Sequence, residues 1–201
     1  MWIDIPSYIL GEKKNGSSGG GDELAAAIVG RTITSIDLPE LTVIGASAFR
    51  GCSELLNVSM PKAASIADSG FYGCSKLLIA SFPKVLFVGS SAFYKCLELS
   101  EAYFPKLTTI DSAAFYNCSK LLRTHFPRVT SIAFNGFGYC STLSKIYLPE
   151  LVSIADSVFY KCTNLTEITV GFASTDAAVK KAPWGAPSGV TVHYKDTDIT
   201  Y

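Results

Sequence analysis

The sequence predicts a parallel β-solenoid of six stacked coils, each 22 residues long, extending from about Ile33 to Val170. Three observations predict it. Prolines recur at Pro39, Pro61, Pro83, Pro105, Pro127 and Pro149, and phenylalanines at Phe49, Phe71, Phe93, Phe115, Phe137 and Phe159, with no insertion anywhere in either series. Ahead of Pro61, Pro83, Pro105, Pro127 and Pro149, and once more ahead of Gly171, runs a leucine-x-x-apolar-x-apolar pattern in which Thr124 is the one polar member: Leu55, Val58, Met60; Leu77, Ala80, Phe82; Leu99, Ala102, Phe104; Leu121, Thr124, Phe126; Leu143, Ile146, Leu148; Leu165, Ile168, Val170. A fixed period of this kind marks supersecondary units that bury their apolar faces only by stacking on their neighbours.

The segment before the coils contains NGSSGGG, a composition that behaves as a flexible chain, so residues 1–22 are assigned to an extension and linker. Its first residues, MWIDIPSYIL, lack a basic start, an uninterrupted apolar stretch and a small-residue cleavage site, so no secretion signal is legible. Asp22 is placed to cap a short helix from Glu23 to Val29 that Gly30 ends, and Ile33, Ile36 and Leu38 supply a first strand. Residues 23–170 therefore form a solenoid with its N-terminal cap.

Within each coil the last two apolar residues of the pattern alternate as strand neighbours do, and the following proline, lacking an N–H, ends the ladder. A second apolar pair, such as Leu107 and Ile110, lines the core before the phenylalanine and a cysteine close the coil. The fifth coil has Phe134 and Asn135 where aspartate and serine are commoner, which predicts a distorted turn. Residues 171–201 form a C-terminal cap. There Gly171 takes the proline position, Ser174 starts a short helix through Ala177 to Lys181, Trp184 covers the last core layer and Val190 to Tyr194 add a strand.

This arrangement of proline, isoleucine, phenylalanine, cysteine and leucine resembles the BspA-like, or Treponema-type, class of bacterial leucine-rich repeats. The resemblance implies a right-handed leucine-rich-repeat solenoid, with parallel strands on a concave side and short strands or irregular or helical turns on the convex side. It also implies adhesion at a bacterial surface. The opening stretch IPSYILGEKKNGSSGGG resembles the start of some bacteriophage tail-associated proteins, which keeps a structural spacer or virion component open as an alternative.

Composition excludes several functions. Seventeen basic and seventeen acidic residues cancel, so no net field draws the chain to nucleic acid or to an anionic bilayer. No run of 18 apolar residues suits membrane insertion. Cys52, Cys74, Cys96, Cys118, Cys140 and Cys162 occupy one column, with neighbouring Cα atoms about 4.8 Å apart and parallel side-chain vectors. Parallel vectors do not meet the disulfide dihedral and do not converge four ligands on a metal, so the column predicts a buried ladder of free thiols. The only imidazoles are His125 and His193, and neither sits in a catalytic motif. No catalytic site, metal site or cofactor is expected.

The outward strand positions are the informative ones. One column reads Asp37, Ser59, Ser81, Tyr103, His125, Tyr147, Thr169, and the next Ser35, Asn57, Ile79, Glu101, Arg123, Lys145, Glu167. Tyr103, His125 and Tyr147 form an aromatic ridge beside Glu101, Arg123 and Lys145, a combination common at protein interfaces and carbohydrate sites. The plainer reading is that aromatic residues favour strands and stabilise them in cross-strand pairs. The column after the strand, Glu40, Lys62, Lys84, Lys106, Arg128, Glu150, reads as a solvated edge in preference to an anion stripe. Glu54, Lys76, Glu98 and Lys120 alternate in sign, which predicts structural pairing, and Tyr72, Tyr94, Tyr116 and Tyr160 form a turn-side ladder interrupted at Gly138, with Tyr139 next to it. Capped ends predict a monomer, against which stands an apolar patch of Leu56, Leu78, Ile79 and Leu122. The functional expectation is a non-enzymatic module, extracellular or virion-associated, that binds a protein or glycan.

Overall fold

A computed structural model of the chain describes residues 33–201. The expected helix at Glu23–Val29, its Asp22 cap and the linker lie outside those residues. Each coil supplies two short strands. The first row is β1 (Ser35–Asp37), β3 (Asn57–Ser59), β5 (Ile79–Ser81), β7 (Glu101–Tyr103), β9 (Arg123–His125), β11 (Lys145–Leu148) and β13 (Glu167–Val170). The second is β2 (Val43–Ile44), β4 (Ser65–Ile66), β6 (Phe87–Val88), β8 (Thr109–Ile110), β10 (Ser131–Ile132) and β12 (Ser153–Ile154). Paired strands of successive coils are parallel and shifted by one repeat, as in Ala80 against Ala102 and Ile66 against Val88. The chain is therefore a leucine-rich-repeat solenoid, as its columns predict.

The second row is one continuous six-stranded ribbon, whereas the first divides into β1–β3, β5–β7–β9 and a group from β11 onward. Both breaks coincide with a change in core composition. Coils with Ile or Val at the first inward position carry Leu, Met or Val at the second (Ile36/Leu38, Val58/Met60, Ile146/Leu148, Ile168/Val170). The middle coils use Ala80/Phe82, Ala102/Phe104 and Thr124/Phe126 instead. Large beside small fills the same space in both designs, but pairing is interrupted where one design meets the other, at Val58–Ala80 and Thr124–Ile146. Close packing transmits such a volume mismatch to the backbone.

The core has a spine of stacked phenylalanines. Phe49, Phe71, Phe93, Phe115 and Phe137 follow one another at ring separations of 5.1, 5.2, 5.2 and 5.4 Å, with Phe159 at 6.1 Å beyond them. Each of their amides donates to a carbonyl one coil on, from Phe49 to Gly70 through Phe137 to Val158. The cysteines lie beside this spine, all free and buried. Each thiol from Cys74 to Cys162 donates to a phenylalanine carbonyl of the previous coil, at 3.0–3.2 Å. The thiol ladder thus has a second role beyond filling space, since it gives a second donor to phenylalanine carbonyls that already accept the cysteine amide of their own turn.

Each coil turns through two left-handed positions. One column holds Ser47, Ser69, Ser91, Ala113, Asn135 and Ser157, at φ between 54 and 58°; the other holds Gly51, Gly73, Lys95, Asn117, Tyr139 and Lys161. A Cβ in this region costs about 1–2 kcal/mol, least for asparagine, whose side chain bonds locally. Ala113 gains nothing in return, so Ala113→Gly is expected to stabilise the chain by about 1 kcal/mol, seen as a higher urea midpoint at unchanged slope. A lower midpoint would show that this turn is not the strained one. The fifth-coil turn keeps Asn135 at φ 57°, so it does not bulge in its backbone angle. Its disturbance is subtler: the coil-to-coil bond made by Ser47, Ser69, Ser91 and Ala113 is missing at Asn135, whose Oδ1 is buried without a partner among the described residues. The wider Phe137–Phe159 spacing lies at the same junction.

The C-terminal cap continues the ladder and then ends it. Trp184 is 1% exposed, its carbonyl accepts from the Phe159 amide at 3.0 Å, and its Nε1 donates to the Ala178 carbonyl. The short helix is a 3-10 turn over Ala177–Lys181 preceded by Asp176, not by Ser174. Ser174 instead donates from its amide and hydroxyl to Asp196. β14 (Thr191–His193) adds to β13 in parallel, and β15 (Asp198–Thr200), unforeseen in the sequence, pairs antiparallel and closes the edge. A reversed last strand blocks the parallel stacking by which another coil would add.

Candidate functional site

The first-row strands present their odd-numbered residues outward in register, Glu101 beside Arg123 and Tyr103 beside His125. Two of the three ridge rings meet: Tyr103 and His125 stack at 4.9 Å with planes 10° apart. Tyr147 stands on β11, across the break in the sheet, and is 61% exposed. Among the described residues the ring stack stops at His125. The expected three-ring ridge is therefore a stacked pair and a separate, freestanding tyrosine. Ion pairs flank it. Arg123 pairs with Glu101, and Lys145 pairs with Glu167 at 2.6 Å. Glu101 and Arg123 thus form one pair and Lys145 a separate one with Glu167, all through exposed or partly exposed side chains whose pairing contributes little to stability.

Sign alternation elsewhere works as expected, with Glu54–Lys76 at 2.6 Å and Glu98–Lys120 at 2.7 Å. In the proline-turn column Lys62 meets Glu40 at 2.7 Å. Lys84, Lys106 and Arg128 are exposed and have no carboxylate within ion-pair distance among the described residues. Of the apolar patch, Leu78, Ile79 and Leu122 are exposed, while Leu56 is half-buried.

The tyrosine ladder on the turn side is longer than the sequence suggests. Tyr72, Tyr94 and Tyr116 stack at 4.8 and 5.0 Å, and Tyr139 then takes the place that Gly138 vacates, 5.1 Å from Tyr116, before Tyr160 at 5.5 Å. A Cβ on Gly138 would lie 2.8 Å from the Tyr116 ring, so only glycine lets the neighbouring ring slide in. Arg50, Lys95 and Lys161 lie over rings of this ladder. The signal in the sequence was the Gly–Tyr pair itself. These rings spend their faces on one another and read as a structural rib.

Burial shapes the acid–base chemistry of the thiols. Desolvation pushes the Cys52 thiol up to about 11 and Cys162 up to about 12, and holds the four between them well above the ordinary thiol range. At neutral pH none offers a thiolate to a substrate or a metal. No group of three His, Cys, Asp or Glu among the described residues is placed to hold a metal ion. His193 bonds Asp198 at 2.9 Å as a cross-strand pair of β14 and β15. An open groove of about 490 Å³ lies between the last coil and the cap, lined by Leu151, Val152, Phe172 and Lys195 among others. No described helix is long and apolar enough to cross a membrane.

Comparison with known proteins agrees with this architecture. The BspA type Leucine rich repeat region matches in six copies, over residues 28–128 and 86–176. Among solved structures, the chain is similar to a leucine rich cell surface protein from Faecalibacterium prausnitzii, with 28% identity and a TM-score of 0.59. That match covers 69% of this chain and 39% of the other, so the chain spans well under half of that relative's length. A leucine-rich repeat protein of T. pallidum shares the fold at 20% identity and a TM-score of 0.52, over 82% of this chain and 70% of that one. No curated protein sequence matches the chain. The repeated columns, the stacked coils and the family match over most of the sequence lead to one conclusion: this chain belongs to the BspA-type leucine-rich repeat family.

Proposed function

We propose that this chain is a non-enzymatic, monomeric recognition module, displayed at a bacterial surface, that binds a protein or glycan through the outward face of its first-row strands. Tyr103, His125 and Tyr147 supply the aromatic contacts, and Glu101, Arg123 and Lys145 the polar rim. The observation that carries the reading is the exposed Tyr103–His125 stack with Tyr147 beyond it. Rigid aromatic side chains lose little conformational entropy on binding, and such anchors dominate interface energetics. The cell-surface description of the F. prausnitzii relative supports the location.

The test is a protein and glycan array probed with the purified chain and with a variant carrying Tyr103→Ser, His125→Ser and Tyr147→Ser. Loss of about 4 kcal/mol or more, near a thousandfold in affinity, is the expected effect of removing three anchors. The side chains are exposed, so the melting temperature should fall by only a few degrees, reflecting the lost ring stack. A ligand held with unchanged affinity by the variant would remove this face from the account.

A further inference from the structure

The turns that follow the first-row strands carry a charge arrangement unlike that of the other coil columns. In the other columns cations meet carboxylates coil to coil or lie over tyrosine rings. Lys84, Lys106 and Arg128 do neither, although they follow one another on three successive coils. Coils about 4.8 Å apart place the three charges along a line of about 10 Å, where they repel one another. Glu150, next in the column, does not reach Arg128. A column that tolerates glutamate at both ends holds three unneutralised cations at its centre.

The same three coils carry Ser81, Tyr103 and His125, each three residues ahead of its cation and in register across β5, β7 and β9. One face of the Tyr103 ring is covered by His125. The other looks along the solenoid axis toward Ser81, whose side chain is too small to cover a phenol. The result is a stacked ring pair whose Tyr103 end opens onto a small-residue shelf, with a cation line at its side.

We infer that this strip binds an acidic polysaccharide laid along the solenoid axis. Its carboxylate or sulfate groups meet Lys84, Lys106 and Arg128, and the C–H face of one sugar ring packs on the open face of Tyr103 above Ser81. The inference rests on the strand-face reading above and names the ligand class for it. Arg128 supplies the fork geometry that grips a carboxylate or sulfate with two N–H groups, and the lysines act as point charges. An extended acidic peptide is less well matched, because the strand face offers it no free backbone edge to pair with. Single-stranded nucleic acid is less well matched too, since successive bases need a run of ring platforms along the cation line, and on these three coils there is one stacked pair, Tyr103 and His125.

The experiment is titration calorimetry of the full chain with polygalacturonate, dextran sulfate, neutral dextran and poly-L-glutamate, at salt concentrations from about 50 to 200 mM. Binding to at least one acidic polysaccharide, more than about tenfold tighter than to dextran and weakening with salt, is expected. Polygalacturonate and dextran sulfate separate carboxylate from sulfate as the group recognised. The variant with Lys84→Ser, Lys106→Ser and Arg128→Ser should lose at least about tenfold in affinity and most of the salt dependence, with its melting temperature unchanged or slightly raised as repulsion is relieved. Tyr103→Ser alone should weaken polysaccharide binding about fivefold while leaving any binding of poly-L-glutamate unaltered. Four results overturn the inference: no binding to either acidic polysaccharide, equal binding of neutral dextran, full affinity in the cation variant, or equal affinity for poly-L-glutamate. The last would reassign the strip to an acidic protein segment. In each of these cases the wider strand-face reading is decided separately, by the array ligand and its response to the Tyr103, His125 and Tyr147 substitutions.

Discussion

Phe115→Ala is expected to destabilise the chain by about 4–5 kcal/mol, the upper end of the range for a buried phenylalanine. Phe115 is fully buried and touches four other rings: Phe93 and Phe137 in its own column, and Phe104 and Phe126 from the strand side. Its removal leaves a cavity that rigid coils on both sides cannot collapse. Repeat stability is the sum of units and their nearest-neighbour interfaces, so a break at the fourth coil weakens both halves and should lower the cooperativity of unfolding. Urea titration would show a lower midpoint and a shallower or split transition. Phe49→Ala, at the end of the stack with one ring partner in its column, should cost less, and Phe134→Ala, on an exposed turn, should cost almost nothing. Equal losses at all three positions would contradict a stack whose energy depends on neighbours.

Gly171→Ala is expected to undock the C-terminal cap. A Cβ at Gly171 would lie 1.9 Å from the carbonyl oxygen and 2.6 Å from the carbonyl carbon of Pro149, both backbone atoms of the previous coil. Neither can rotate away, so the chain must open between the last coil and the cap, at a cost of about 3 kcal/mol or more. Trp184 reports the event, because it is buried against Phe172 and would move into water, shifting its emission to longer wavelength. Gly51→Ala is the control: its added Cβ meets nothing within 4 Å and faces only the left-handed backbone at φ 75°, a cost of about 1 kcal/mol. If both variants keep a blue, native-like emission and similar stability, the cap is not seated as described.

The sequence made most of the inside legible, because a column of identical residues admits few interpretations. Phenylalanine, cysteine and leucine each recur at one place in the coil, and stacking buries all three columns while the exposed or half-buried prolines end the strands outside them. What escaped was set by differences between coils. The breaks in the first-row sheet depend on whether Ala80 and Phe82 or Ile146 and Leu148 share the available volume, which a polar–apolar reading does not distinguish. Tyr139 replaces a ring one position away from its column because Gly138 gives room, a shift that spacing alone reads as an interruption. β15 lies in a polar segment with no period, and Asp176, not Ser174, precedes the 3-10 turn because Ser174 is engaged by Asp196. On the binding face, register alone placed Tyr103 on His125. It did not show that Tyr147 stands apart, since the strand pairing that would join them fails where Thr124 gives way to Ile146.

Recognition through the first-row strand face predicts a different response to mutation from recognition through the tyrosine rib on the turns. The affinity of the array ligand separates the two faces when measured for the wild type, for the Tyr103, His125 and Tyr147 serine variant, and for a second variant with Tyr72→Ser, Tyr94→Ser and Tyr116→Ser. The first variant should lose most of the binding, and the second, measured below its lowered melting temperature, should keep it. Retention by the first and loss by the second would place recognition on the rib and contradict recognition through the strand face.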